Sequence, residues 1–381
     1  MQKFDLIVIG SGPAGEKAAV KAAYFGYKVA IIEKEELFGG AGTVTGTLPS
    51  KTLRETALYF SDKLEKGLYG IDRTFSQEAS MTDFMYRKNL VKDSSSKEVF
   101  DNLSRHHVSI FYGVASFEDA HTLHVQGKDH ISLFGEYIII ATGSYPYHPK
   151  NIPFDSKRVH DSDTILQLTR HPSSLCIVGA GVIGCEYATI FATIGTHVYL
   201  INDKKKILPH LDEEISHALV KEMQSSGIDI LFNTSIESIH TPPSDQTLIE
   251  VHLKNNKSLE VDMFLFAAGR SGNIKQLKLE QVGVKTGERE LIIVDHQYRT
   301  NISNIFAVGD VIGFPALAST SMEQGRIAVA HIFQTQDLEH LPTYFPYGIY
   351  TIPEVSAIGL TTEEAQEKAV PYAIGKAYYA N

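Results

Sequence analysis

Short apolar runs, each closed by a glycine turn and followed by an alanine-rich stretch, set the pattern of this chain. Phe4–Ile9 and Val29–Ile32 are apolar nearly throughout, which predicts strands covered on both faces and hence a parallel sheet. Lys51 to about Lys66 predicts a helix opened by Pro49, and about Glu78 to His106 a longer, partly broken helical stretch. From 108 to 133 apolar and polar residues alternate, with Gly113 and Gly127 as turn signals, so a small antiparallel meander is expected. Tyr137–Ala141 predicts a buried strand ending in Thr142-Gly143, and the proline-rich stretch Tyr145–Pro153 a hinge.

The pattern restarts at Leu175–Val178 and runs to a strand over Phe264–Ala268 that ends at Gly269. Asn304–Asp310 predicts one more strand, closing on Gly309-Asp310, with a helix over Glu323–Phe333 behind it. This return implies a discontinuous first domain, 1–150 plus 271–345, with a second domain, 151–270, inserted in it. In the tail, Tyr347–Pro353 is strand-like, Thr361 and Glu364 form a capping box, and Val370–Tyr379 begins another strand. A piece of that size cannot bury its own apolar face, so 346–381 reads as the start of a truncated third domain. The expected class is α/β: two Rossmann-like domains, a small β meander and an incomplete α+β domain.

Gly10-Ser11-Gly12-Pro13-Ala14-Gly15 follows the first strand, and Gly179-Ala180-Gly181-Val182-Ile183-Gly184 follows Leu175–Val178. The register continues beyond the glycines: Gly26 answers to Gly195, Val29 to Val198 and Glu33 to Asn202, all 169 residues apart. A lone GxGxxG is weak, whereas two strand–turn–helix copies in register are the context a dinucleotide fingerprint requires. In each copy the first glycine permits the tight turn, the second lets backbone approach phosphate, and the third lets helix pack on strand. Each unit is suited to seat a pyrophosphate on a helix N-terminus, and two dinucleotides in one chain suggest electron transfer between them.

Glu33 ends the second strand of the first unit, where a carboxylate accepts hydrogen bonds from an adenosine ribose. Its counterpart Asn202 is followed by Asp203 and Lys204-Lys205-Lys206. Loss of the acid removes repulsion against a 2′-phosphate and the lysines attract one, while Asp203 keeps a carboxylate close. Such a mixed site suits both NAD(H) and NADP(H); an ordinary basic turn is the equally simple alternative.

With 381 residues, 43% apolar and 21% charged, the composition is that of a globular protein with room for two or three domains. The net charge of −10 argues against nucleic acid and anionic membrane as partners, but not against nucleotides held by backbone amides. No apolar run approaches the roughly 18 residues of a spanning helix, so a cytoplasmic protein is expected. Cys176 and Cys185 match no metal or CxxC spacing, and a disulfide framework is excluded. His106-His107 and His121-x-x-His124 lack further ligands, so no metal is expected.

GSGPAG (10–15), GTLPSK (46–51), ATGSYP (141–146), GAGVIG (179–184), AAGRSGN (267–273), FAVGD (306–310) and GIYTIPEVSAIG (348–359) occur in that order. Covering essentially the whole chain, the set resembles the flavin-dependent pyridine nucleotide–disulfide oxidoreductase family. Within that family, GTLPSKTLRE, YHP (147–149), HDSD (160–163), GAGVIGCEYA and VGDVIG are most similar to the soluble transhydrogenase subgroup. The resemblance implies FAD in the first domain, at Gly10, Gly12, Gly15, Glu33, Gly143, Gly309 and Asp310, with Asp310 on the ribityl chain. It implies NAD(P)(H) in the second, at Gly179, Gly181, Gly184, Asn202, Lys204 and Gly269. It also implies a homodimer through the C-terminal domain, an assembly less accessible to a chain lacking most of that domain.

Disulfide reductases of the family carry Cys-x4-Cys just before the PSK tripeptide, where this chain has Gly42 and Thr47, so no dithiol relay can form. The His-Glu pair that such enzymes take from the C-terminal domain is also missing from this sequence. Thiol substrates are thereby excluded, and the implied activity is FAD-dependent NAD(P)+ transhydrogenation, from NADPH to flavin to NAD+. The resemblance sets Lys51 against the flavin N5 region, paired with Glu186 on the nicotinamide side, with Thr47 lining the other face. A cation there stabilises reduced, anionic flavin; as a mere first-turn residue Lys51 is disfavoured by roughly 0.3–1 kcal/mol. An FAD-dependent NAD(P)H oxidase or diaphorase shares the first half-reaction, and an inactive truncated flavoprotein shares the scaffold. Both stay open on sequence alone.

Overall fold

The computed structural model describes residues 1–61, 80–244, 247–335 and 344–378. Two compact units form: Met1–His171 with Ala268–Pro342, and Pro172–Ala267 with Thr343–Asn381. Residues 151–171 therefore group with the first unit, and the tail groups with the second.

The first unit is organised by strand Gln2–Ile9, which runs parallel to Val29–Glu33 on one side and to His130–Ile140 on the other. Val29–Glu33 pairs in parallel with Ser109–Tyr112, and Ile138–Ile140 pair in parallel with Ile305–Ala307. The earlier half of His130–Ile140 pairs antiparallel with Thr122–Gln126, which pairs with Val114–Phe117. The expected meander is thus present, but Ser109–Tyr112 has left it for the parallel sheet. Gly113 makes the break at φ +156, where a Cβ would crowd the Gln126 carbonyl at 2.9 Å.

Alternate residues of the central strands feed two cores: Ile7, Ile9, Ile32 and Ile140 on one face, Leu6, Val8, Ile31 and Ile139 on the other. The second core lies under helices Pro13–Tyr24 and Ala318–Phe333, which cross so closely that a Cβ on Gly325 would lie 2.3 Å from Ala14 O. Helix Thr47–Phe60 starts before Pro49, with Gly46 at its N-cap. Its expected continuation over 62–66 lies outside the described residues, as do 78–79 of the second expected helix. That helix, Met81–Arg105, is unbroken: Ser80 and Asp83 form a capping box, and Ser96 Oγ accepts the Phe38 N–H at 2.7 Å.

The second unit repeats the theme. Ile228–Leu231, His197–Ile201, Ser174–Val178 and Met263–Phe266 form a parallel array in that order, with helix Val182–Thr193 after the glycine turn. An antiparallel trio, Ile236–His240, Ile249–Leu253 and Ser258–Val261, was not anticipated by the sequence pattern. Both nucleotide-unit helices end alike, on Gly26 at φ +88 and Gly195 at φ +95. Tyr27 N donates to Ala22 O and Thr196 N to Phe191 O, satisfying the last carbonyls. In the tail, Tyr347–Ile349 pairs antiparallel with Val355–Ala357, and the Thr361–Glu364 box opens helix Thr362–Glu367. Residues 370–378 form no strand, contrary to expectation, and Tyr379 lies outside the described residues. Val370 N instead donates back to Ala365 O at 2.9 Å, ending the helix in a turn. Among the described residues no helix is long and apolar enough to cross a membrane.

Candidate functional site

The two glycine turns are built to one plan. Gly10 and Gly179 take φ +98 and +105, and their N–H groups donate to Ile32 O and Ile201 O at 2.8 and 2.9 Å. A Cβ on Gly15 would lie 1.9 Å from Gly10 O, and one on Gly184 would lie 1.8 Å from Gly179 O. At the middle glycines there is room: a Cβ on Gly181 meets nothing within 4 Å, and one on Gly12 only Gly40 Cα at 4.0 Å. Gly12 and Gly181 are the N-caps of helices Pro13–Tyr24 and Val182–Thr193, and neither helix has a side-chain cap. The leading N–H groups are left for another acceptor, the arrangement that takes phosphate.

Beyond the glycines the copies part. The buried Glu33 carboxylate accepts four hydrogen bonds, from Ser11 N and Oγ at 2.8 and 2.7 Å, Lys34 N at 2.8 Å and Glu35 N at 3.0 Å. Ser11 Oγ also accepts the Gly39 N–H at 3.2 Å, tying the turn to the glycine-rich stretch after it. In the second copy Ala180 replaces Ser11, and Asn202 turns into its own loop. Its Nδ2 donates to Lys204 O at 3.1 Å and Lys206 O at 3.0 Å. Asn202 thus shapes a loop whose Asp203, Lys204 and Lys205 are exposed.

Gly309, at φ +78, brings Asp310 to the first turn: a Cβ on Gly309 would lie 3.1 Å from Ala14 Cβ, and its N–H donates to Gln324 Oε1 at 2.8 Å. Asp310 Oδ2 accepts from Ser144 Oγ at 3.2 Å. Gly143 takes φ +69 with open space beside it, and the buried Thr142 Oγ1 has no hydrogen-bond partner among the described residues. An orphaned hydroxyl, an uncapped helix and a glycine cradle fit the diphosphate and polyol of FAD.

Thr47 is the first residue of its helix and Lys51 the fifth, so Lys51 sits in the second turn rather than the first, where the macrodipole acts on it less. Gly42 is packed shut: a Cβ there would lie 2.8 Å from Pro13 Cγ. Lys51 belongs to the first unit and Glu186 to the second. Glu186, buried, accepts the Tyr350 N–H at 3.0 Å, and Thr189 Oγ1 accepts the Ile352 N–H at 3.2 Å. Segment 350–352 thereby hangs on helix Val182–Thr193 by its backbone. Gly269, at φ +118, leaves its open side to Arg289, whose guanidinium nitrogen lies 1.9 Å from where a Cβ would be. Cys176 and Cys185 are wholly buried, and burial pushes both thiols up. No group of three or more His, Cys, Asp or Glu among the described residues is placed to hold a metal. Ser11, Thr142, Ser144 and Arg270 were not singled out from sequence, although each stands inside or beside a quoted glycine motif.

The profile of the Pyridine nucleotide-disulphide oxidoreductase family matches residues 4–325. The chain is 41% identical over 378 residues to a soluble pyridine nucleotide transhydrogenase of Yersinia pestis (strain Pestoides F), spanning 99% of this chain and 80% of that protein. A soluble pyridine nucleotide transhydrogenase of Yersinia pseudotuberculosis serotype O:1b (strain IP 31758) is equally similar, with 41% identity over 99% of this chain and 80% of its own. Among solved structures, the Cu(II) complex of the HOCl-induced flavoprotein disulfide reductase RclA from Escherichia coli superposes with a TM-score of 0.86. Its identity is 29%, over 97% of this chain and 80% of that one.

Proposed function

The chain belongs to the pyridine nucleotide-disulphide oxidoreductase family, and on that premise we propose that it is an FAD-dependent transhydrogenase, NADPH + NAD+ giving NADP+ + NADH. The observation that carries the reading is a pair of dinucleotide turns in a chain whose disulfide position holds no thiol. Pro13 fills the space a side chain on Gly42 would need, at 2.8 Å, and both cysteines are buried elsewhere. FAD, when bound, supplies the ring that accepts hydride from one nicotinamide and returns it to the other.

The chain's own residues hold and orient. Gly10, Gly12, Gly15, Gly143, Gly309 and Asp310 seat FAD in the segments 1–150 and 271–345, with Glu33 on its adenosine ribose. Gly179, Gly181, Gly184, Asn202 and Lys204 serve NAD(P)(H) in the second unit, Asn202 by fixing the loop that presents Lys204. Lys51 places a cation by the flavin, Thr47 lines the opposite face, and Glu186 serves the nicotinamide side. A cytoplasmic protein that binds no nucleic acid belongs to the same reading; the homodimer is the assembly of the full-length family.

The test is anaerobic. The FAD-loaded chain is bleached with NADPH and then given NAD+, and rapid return of oxidised flavin with stoichiometric NADH is expected. Bleaching that persists until oxygen or a quinone is added would replace the reading with an oxidase or diaphorase.

A further inference from the structure

Two motifs of the transhydrogenase-like set, YHP (147–149) and HDSD (160–163), have no part in the proposed chemistry. The structure joins them. His148 Nε2 meets Asp161 Oδ2 at 2.7 Å, and Asp161 Oδ1 accepts the Asp163 and Thr164 N–H groups at 2.9 and 2.8 Å. The turn so fixed presents Ser162 Oγ and Asp163 Oδ1 to one guanidinium nitrogen of Arg270, at 3.2 and 3.4 Å. The other two nitrogens of Arg270 clasp Ser144, Nε on Oγ and the second terminal nitrogen on the carbonyl, each at 2.8 Å. Ser144 Oγ then donates to Asp310 Oδ2 at 3.2 Å. All of these residues lie in the first unit.

The direction of these bonds matters. A serine hydroxyl has one proton and can rotate it among several acceptors. Here Arg270, a donor only, occupies the acceptor side of Ser144 Oγ, which leaves the hydroxyl proton to Asp310. Both bonds involve an ionised partner and strengthen one another. Asp310 Oδ1 has no partner among the described residues and is left for a ligand hydroxyl.

We propose that Ser144 and Arg270 are positioning residues that orient Asp310 toward the FAD polyol, with the His148–Asp161 turn as their anchor. This rests on the flavin reading of Asp310. The guanidinium aims the hydroxyl, the hydroxyl fixes one carboxylate oxygen, and the other oxygen is thereby presented to the cofactor.

The test is a mutant cycle read as the FAD dissociation constant of the full chain, by flavin fluorescence, with the flavin midpoint potential as a second readout. Ser144→Ala should raise the dissociation constant about fivefold, as loss of one polar contact does. Ser144→Thr, which keeps the hydroxyl, should restore it. In an Asp310→Asn background Ser144→Ala should add less than about twofold, because partners in one network are not additive. Arg270→Met should follow Ser144→Ala in both readouts; if it does not fold, the Ser144 cycle decides. Full additivity of Ser144→Ala with Asp310→Asn, or no effect of Ser144→Ala where Asp310→Asn weakens binding, overturns the proposal. An Asp310→Asn protein that binds FAD as well as the parent removes the flavin role of Asp310 itself, and the proposal with it.

Discussion

Within one GxGxxG turn, three glycines do physically different work, and substitution separates them. Gly184→Ala would force a Cβ to 1.8 Å from Gly179 O, so helix and strand must part, at a cost of about 3 kcal/mol or more. Gly181→Ala meets nothing within 4 Å at φ −80, a conformation alanine adopts freely. Its melting temperature should stay within about 2 °C of the parent. Its NAD(P)H affinity should nevertheless fall about tenfold, since the methyl stands where phosphate approaches. Thermal scans beside nucleotide titrations check both, and a Gly181→Ala protein with unaltered affinity refutes the phosphate role. Glu33→Gln is a third case: turning one oxygen into a donor sets it against a backbone N–H, which should cost about 1–3 kcal/mol. Urea unfolding of the cofactor-free chain measures this without reference to ribose. The glycines were legible because their spacing is local. Ser11 was not, because its hydroxyl finds Glu33 across 22 residues, and a side-chain pair at that range leaves no periodic mark.

Elements carry a different kind of signal. The parallel strands were readable from apolar runs, and the tail helix from its capping box, because burial on two faces and a cap are properties of consecutive residues. The transfer of Ser109–Tyr112 from meander to parallel sheet was not readable, since alternation does not reveal a strand's partner. Nor was the tie between helix Met81–Arg105 and the short turn Thr164–Gln167, which is made by Lys88 Nζ donating to Leu166 O at 2.6 Å. Burial, with repulsion from Lys92 and against attraction from Asp93, lowers this ammonium from 10.5 to about 8. Between those values the unfolded chain binds the proton and the folded chain does not. The stability contributed at this site should therefore rise with pH from about 8 to about 10.5, and the cost of the buried charge is fully present below about 8. The difference in unfolding free energy between parent and Lys88→Met, measured across that window, should climb with pH in the parent's favour; a flat difference refutes the assignment.

At the scale of the whole molecule, one unit used twice has become two unlike sites, and the unlikeness matches what a hydride exchanger needs. A resident cofactor calls for a site closed around it, whereas two substrates that alternate call for a site either can leave. In the first copy Glu33 is held by four hydrogen bonds and Gly40 and Gly42 are packed against Gly12 and Pro13. In the second copy the acid and the serine are gone, and Asn202 spends its amide on holding a loop with Asp203, Lys204 and Lys205 turned to solvent. The 169-residue offset made the duplication legible, but the divergence shows only where each end-of-strand residue sends its side chain. Exposed lysines act on a phosphate as screened point charges, so they favour the nucleotide with the extra phosphate without excluding the other. Replacing Lys204 and Lys205 together by alanine should raise the KM for NADPH about tenfold and leave that for NADH within about twofold. Any advantage that the lysines give NADPH in the parent should also shrink as salt rises from about 0.01 to about 0.5 M. FAD content should not change in that variant, because the lysines belong to the other copy. Equal losses for both nucleotides would mean the loop supports the site's shape and not its charge, and the mixed-specificity reading of the second turn would fall.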